Sequence, residues 1–535
     1  MFGSRSSAIL QSEEFYQNGL MYANDGDEGR ALVEFSKAIE INPRHIYALI
    51  QKGTILQRIS HHREAIGCFE SARAIQPENA YIFLKLGFSH TMLGHNARAV
   101  ECYTRALTID QNLVKAWTGR ATSRFDMGRY HDAADDFDAA IRIDPSDAGA
   151  WAGKGICYAL LGDYTQALEC FSRTVALDPK DPIAWFNRGR SHAFLGQHGE
   201  AIPCFEQSIA IAPDDHETWF NLGKSHAAFG NQQKAISSYE HAIDLNPKLL
   251  EAYIAKGVSL HRQERYPEAV FEFVRALEID DENISALLGM GESQAAMHSY
   301  DAATECFNRI IALDPSQTRA YIDRGICQIG DGRYVQALES FEIVLRTDPA
   351  NFIALYNMGR TLAAMGRHQE AIKVFERAIA VNPSDAPSWY NKGVSLNNLV
   401  RHGEAIRCYD QAIELLPDDP DAWYNKAMSL LQLGRHREAI QCFEKVLLHD
   451  PSDIDSHFHM GVCHDDLGRH REALTCYQRV LDLDPDDGRT WYARGTTLEK
   501  LGCYGEAMEC FERALRSNPE NQNARMARDL LLKQA

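Results

Sequence analysis

Alanine returns every 34 residues from Ala31 to Ala507, fifteen times without a miss. An aromatic ring follows four residues after each, from Phe35 through Tyr239 to Phe511. A third register holds proline from Pro43 to Pro519, interrupted by Gln111 and Asp281. A fourth holds glycine from Gly19 to Gly495, interrupted by Ala121 and Ala427. No repeat contains an insertion or a deletion. Self-similarity at a fixed period marks an array whose units cannot bury their apolar faces alone. A chain of 535 residues ordinarily suggests several domains, but an array is quasi-one-dimensional and each repeat is stabilised by its neighbours. One domain is therefore expected, with an N-terminal extension over 1–11, fifteen repeats over 12–521 and a C-terminal capping helix over 522–535. In that helix Met526, Leu530 and Leu531 are expected to face the last repeat. This division leaves no room for a catalytic domain.

The repeat 386–419 shows what each unit must be. Trp389, Gly393, Leu396 and Leu399 form one helical face, and Ala405, Ile406, Tyr409, Ala412, Ile413 and Leu416 form another. Between the two faces most repeats place a glycine, the usual left-handed helix stop, where this one has Val400. Pro417 ends the second helix. Two residues after the proline position, eleven of fifteen repeats have Asp or Asn, a side chain suited to capping the next helix. The spacing predicts helix, turn, helix, turn, with small residues at the crossings and the aromatic filling the space between repeats.

This pattern resembles the tetratricopeptide repeat: W/L/Y/F, then Gly four residues on, Ala twelve after that, an aromatic four later and Pro eight later. The resemblance implies an all-α fold, an α-α superhelical solenoid whose first helices line a concave groove. It also implies a non-enzymatic scaffold that binds extended peptides or partner helices.

Composition excludes several alternatives. No apolar run approaches the ~18 residues that span a membrane, and the N-terminus lacks a secretory core, so a cytoplasmic protein with no membrane partner is expected. The formal charge is −19, and many acids sit in inter-repeat turns where they cap helices. A nucleic-acid binder needs a basic surface, so no nucleic-acid partner is expected. Nine of the thirteen cysteines share the register just before the aromatic. They read as small packing residues, too far apart between repeats for disulfides. The cluster His457, His459, Cys463, His464 and Asp465 lacks zinc spacing and reads as ordinary helix-surface histidine. No metal, no cofactor and no catalytic residue is expected.

The candidate peptide-binding residues lie on the first helices. Two residues after the tryptophan position, Asn187 and Asn221 form one block and Asn357, Asn391 and Asn425 another. A carboxamide can both donate to and accept from a peptide backbone, and Asn is a mediocre helix former without some such reason. This looks like the asparagine ladder with which members of the family hold peptide main chain. The first block is flanked by Phe186, Phe220, Arg190 and Lys224, which suits an acidic segment or a carboxylate. The second is flanked by Tyr356, Tyr390 and Tyr424, with Arg360 its single cation, which suits a more neutral chain. The family's carboxylate clamp lacks its asparagine here, at Arg190 and Lys224. The alternatives are self-association into a structural assembly, or a targeting subunit for a partner enzyme such as a glycosyltransferase. Residues 250–351 depart from the consensus and are expected to form a softer seam. Pro203 is expected to remove a hydrogen bond from its helix or kink it.

Overall fold

The computed structural model describes residues 2–534, with side chains described over 8–533. These residues form thirty-one α-helices, from Phe2–Asn24 to Gln522–Gln534, and no strand. First helices of 13 residues alternate with second helices of 14, one pair per repeat. The opening helix is 23 residues long because residues 2–11 continue it without a break.

The chain divides into two compact units, one up to Asp280 and one from Asp281 onward. The division falls at the turn where Asp281 stands in place of proline. Within each unit every helix packs on its sequence neighbours, and successive first helices also meet one another, as Ala386–Asn398 meets Pro420–Gln432. Successive second helices show no comparable packing among the described residues. First helices therefore crowd on the inner side of each unit and second helices splay on the outer side. Each unit is an all-α solenoid of helix-turn-helix repeats.

All fifteen register alanines are fully buried, and the aromatics four residues on are buried with them. A Cβ added to Gly393 would lie 2.7 Å from the Tyr409 ring, and Gly19, Gly53 and Gly495 stand in the same relation to Phe35, Phe69 and Phe511. The aromatic thus fills the crossing inside its own repeat, not only the space between repeats. It bears on the following repeat at Gly119, over Tyr103, and at Gly153, over Phe137.

The turns follow the sequence closely. All eleven Asp or Asn side chains two residues after the proline position cap the next first helix, as Asp147 does by accepting from the Ala150 N–H at 3.0 Å. Eleven turn glycines have positive φ, and Ser60, Glu264, His298 and Val400 adopt the same left-handed conformation at φ 58–64°. For L-residues this costs roughly 1–2 kcal/mol, and a β-branched residue such as Val400 is the least suited to it.

A further latch closes most of the inter-repeat turns. All seven tryptophans donate their indole N–H to the carbonyl six residues earlier, at 2.8–3.1 Å, six of them to a proline carbonyl of the form Trp389 to Pro383. Where tryptophan is missing, Tyr253, His457 and Arg525 make the same bond. Where Leu287 and Leu355 occupy the position, Arg309 and Arg377 reach the Asp281 and Pro349 carbonyls from the following second helix, at 2.7 and 3.1 Å.

One expectation needs correction, and another resolves between its two alternatives. In the C-terminal helix Leu531 packs inward with Ala524, but Met526 and Leu530 are 62% and 52% exposed. They lie on the side of the helix turned away from the last repeat. Pro203 leaves the helix His198–Ile211 continuous, so its effect is limited to the bond it cannot donate to the Gly199 carbonyl.

The thirteen cysteines are all unpaired, and ten are buried. Burial pushes the Cys306, Cys442 and Cys476 thiols up to about 11 and the Cys157 and Cys463 thiols up to about 12.

Candidate functional site

The five asparagines stand on the first helices, on the inner side of their units. Each directs one amide N–H back to the carbonyl four residues earlier in its own helix: Asn187 to Ile183, Asn221 to Glu217, Asn357 to Ile353, Asn391 to Pro387 and Asn425 to Asp421, at 2.8–2.9 Å. Four are half-buried, and Asn357 is buried at 6% exposure. Part of the donor capacity that the sequence suggests is therefore already used within the protein.

The two blocks differ in what holds the rest of the carboxamide. In the second, the tyrosines reach across to the next repeat. Tyr356 Oη lies 3.5 Å from Asn391 Nδ2, and Tyr390 Oη lies 3.1 Å from Asn425 Nδ2. Both N–H groups of these asparagines are thus engaged, and Oδ1 is left as an acceptor. Burial, with Asp421 and Asp419 nearby, raises the Tyr390 phenol above its usual range and keeps it protonated. The third tyrosine, Tyr424, meets His459 across the same interval, with ring centroids 6.5 Å apart. His459 also stacks on Phe443 at 6.0 Å and 15°, and burial lowers its pKa. The rungs therefore run 357, 391, 425 and 459. His459 is missed if the register is searched for asparagine and found if it is searched by position.

In the first block the cations sit on aromatic faces. The Arg190 guanidinium lies 5.5 Å from the Phe186 centroid and 5.9 Å from that of Phe194, and the Lys224 ammonium lies 5.6 Å from that of Phe220. Such contacts are worth about 0.5–1 kcal/mol at exposed sites. They order the cation without neutralising it. Asn187 and Arg190 share a cleft of ≈ 300 Å³ with Ile156, Leu160, Tyr164 and Phe194, where Tyr164 and Phe194 stack at 4.4 Å and 8°. In the second unit Arg360 lies over Tyr356 at 5.7 Å and within 3.5 Å of Asn357 Oδ1.

A larger cleft in the first unit, ≈ 630 Å³, lies between the helices Ala80–Met92 and Val114–Asp126. Its signal in the sequence is Phe88, the one aromatic in a register where the adjacent repeats have Thr54 and Thr122 and others have residues such as Ile156, Arg190 and Val258.

Among the described residues, no group of three or more His, Cys, Asp or Glu is placed to hold a metal, and no helix is long and apolar enough to cross a membrane.

Family profiles described as Tetratricopeptide repeat match residues 118–182, 155–218, 216–249, 288–352, 356–420, 420–453 and 464–532. One described as Anaphase-promoting complex subunit 5 matches 324–385. The uncharacterized protein MJ0572 of Methanocaldococcus jannaschii is 40% identical over 61 residues, 11% of this chain and 71% of that protein. Among solved structures, YrrB, described as a TPR protein with an unusual peptide-binding site, is 20% identical with a TM-score of 0.34, covering 36% of this chain and 99% of its own. MamA is 21% identical with a TM-score of 0.31, covering 32% and 94%. The APC/C hetero-tetramer Cut9-Hcn1 is 15% identical with a TM-score of 0.33, covering 91% and 96%. The tetratricopeptide repeat profiles together match more than half of the chain, and the chain belongs to the tetratricopeptide repeat family.

Proposed function

We propose that the protein is a non-enzymatic, cytoplasmic interaction scaffold that holds extended peptide segments of partner proteins along the first-helix face. The observation that carries this reading is the ordered row of carboxamides in the second unit, each fixed by its own helix and two of them, Asn391 and Asn425, also by a tyrosine of the preceding repeat. Fixing a side chain before a ligand arrives lowers the entropic cost of binding. First helices roughly 8–10 Å apart would meet an extended chain about every third residue, at ~3.3–3.6 Å per residue. Main-chain recognition of this kind tolerates many side chains, which suits a scaffold with several clients.

Affinity capture from a native lysate, read by mass spectrometry, tests the reading. The wild-type chain is compared with Asn391→Ala/Asn425→Ala and with that pair plus Asn357→Ala. The expected result is a set of partners lost with the double change. If the same proteins come down with all three chains, the asparagine reading fails. If only further copies of the chain itself come down, self-assembly takes its place.

A further inference from the structure

We infer that the cleft between the helices Ala80–Met92 and Val114–Asp126 docks a partner segment in which large apolar side chains are flanked by carboxylates. The inference rests on the first-helix face being a binding face, and it adds a separate site with its own ligand chemistry.

Three observations carry it. The first is exposed apolar surface. Tyr81, Phe88 and Met92 line the cleft and are 44%, 44% and 55% exposed. Their spacing puts them, with Lys85, on one stripe of a single helix. The two adjacent repeats carry Arg58 and Asp126 in place of Met92, although Leu160 and Phe194 hold the position in later ones. Aromatic and methionine side chains gathered in this way on a protein surface are typical of interface cores.

The second is the shape of the floor. The position of the asparagine rung is Gly119 here, and a Cβ on it would lie 2.4 Å from Tyr103 Cζ. Tyr103 itself is held by Thr91, whose hydroxyl lies 3.4 Å from Tyr103 Oη and 3.0 Å from Ser123 Oγ. No side chain can therefore stand at the middle of the cleft. Its ≈ 630 Å³ lies within the ~300–1,000 Å³ common for ligand pockets.

The third is charge. Lys85 and Lys115 both line the cleft and no carboxylate does. Lys85 lies over the Tyr81 ring at 5.3 Å, and among the described residues neither lysine is ion-paired. First-helix lysines at the outer side are treated differently: Lys154 meets Asp138 at 2.6 Å and Lys256 meets Glu272 at 2.8 Å. In a chain of net charge −19, two unpaired cations beside an exposed apolar stripe select a ligand of opposite charge.

The test is selection from a random peptide display library on the full-length chain, followed by fluorescence polarisation with the selected peptides. Binding is measured on the wild type, on Lys85→Glu/Lys115→Glu and on the milder Lys85→Gln/Lys115→Gln, with circular dichroism to verify folding. All four substitutions fall on cleft-lining surface. The expected peptides combine Asp or Glu with large apolar residues. Their affinity should drop about tenfold or more on the charge reversal, less on the neutral pair, and fall with added salt. Peptides without acidic residues, or affinities indifferent to both lysine pairs, overturn the proposal. If the selected peptides respond to Asn391→Ala/Asn425→Ala instead, this site fails while the wider groove reading stands. If they respond to neither set, both fail. Sedimentation of Phe88→Asp/Met92→Asp completes the test: a dimer that dissociates with this change makes the occupant a second copy and overturns the proposal.

Discussion

The inner faces of the two units are built on one helical frame and furnished differently. In the first, successive rungs are Lys85, Gly119, Gly153, Asn187 and Asn221, with cations resting on aromatic rings and clefts opening between helices. In the second, the rungs are Asn357, Asn391, Asn425 and His459, tied from one repeat to the next by tyrosines. The contrast teaches that an unvarying repeat length does not impose one binding chemistry. The frame is fixed by residues that point into the crossings, and these are shared. The residues that point out of them are free to diverge.

The contrast extends beneath the surface, and the largest predicted effect lies there. In the register before the aromatic, the second unit has Cys306, Cys408, Cys442, Cys476 and Cys510 and no charged residue, whereas the first mixes Cys68, Cys102, Cys170 and Cys204 with Asp136 and Glu272. Asp136 is 2% exposed and takes Arg120 at 2.7 and 2.9 Å and Arg124 at 2.7 Å. Asp136→Cys copies the second unit into the first but leaves two guanidinium groups near the core without their carboxylate, Arg120 keeping Thr104 Oγ1 and Arg124 the Asp132 carbonyl. A loss of roughly 3 kcal/mol is expected in chemical denaturation, and a change under ~1 kcal/mol would show the pair to be dispensable.

Exchanging the rungs comes next. Gly119→Asn places a Cβ against Tyr103 and should cost ~1–3 kcal/mol by overpacking. The reverse exchange, Asn391→Gly, meets no such clash and should cost only the ~0.5–1 kcal/mol of a helical glycine, apart from its lost hydrogen bonds. Equal costs would mean that the glycines are not held by packing.

Alkali should separate the units more gently. A thiol held above its ordinary pKa by burial stabilises the fold in its protonated form. That stability is complete below about 9, the unfolded value, and is lost as pH rises toward 11. More of these thiols lie in the second unit, among them Cys306, Cys327, Cys442, Cys463 and Cys476. Hydrogen exchange at pH 9–10, corrected for intrinsic rates, should show protection falling first after residue 281. Loss that is uniform, or earlier in the first unit, contradicts this.

Two smaller effects sharpen the picture of the second unit. Val400→Gly relieves a β-branched residue at φ 60° and should stabilise by about 1 kcal/mol, seen as a rise in melting temperature. Tyr390→Phe removes the bond to Asn425 and should cost about 0.5 kcal/mol. A double-mutant cycle with Asn425→Ala reads that coupling, and zero coupling energy would dissolve the tyrosine–asparagine link.

Much of the fold was legible in the sequence because the repeat states each rule fifteen times. Alanine and glycine at the crossings, Asp and Asn at the caps and glycine in the turns all do locally what their chemistry suggests. What was not legible depended on direction. That each asparagine turns back to the carbonyl four residues earlier is a matter of side-chain rotamer, which residue identity does not give. The tryptophan latch was hidden for a related reason: an apolar period accounts for the indole ring and says nothing about its N–H. The apolar character of Met526 and Leu530 suggests an inward face, but Ala524 and Leu531 already fill the contact with the last repeat. Phe88 and Met92 stand in registers that vary from repeat to repeat, so the periodic pattern alone does not single them out.

The tyrosine-bound asparagines have a consequence for what the second unit can exclude. With their N–H groups committed inside the protein, Asn391 and Asn425 offer a row of acceptors and few donors. On the proposed reading a ligand must answer with its own backbone N–H at each rung. Proline has none. Such a face would set no consensus motif, yet it would enforce a punctuation rule: most residues pass at the rung positions, and an imino acid there breaks the line.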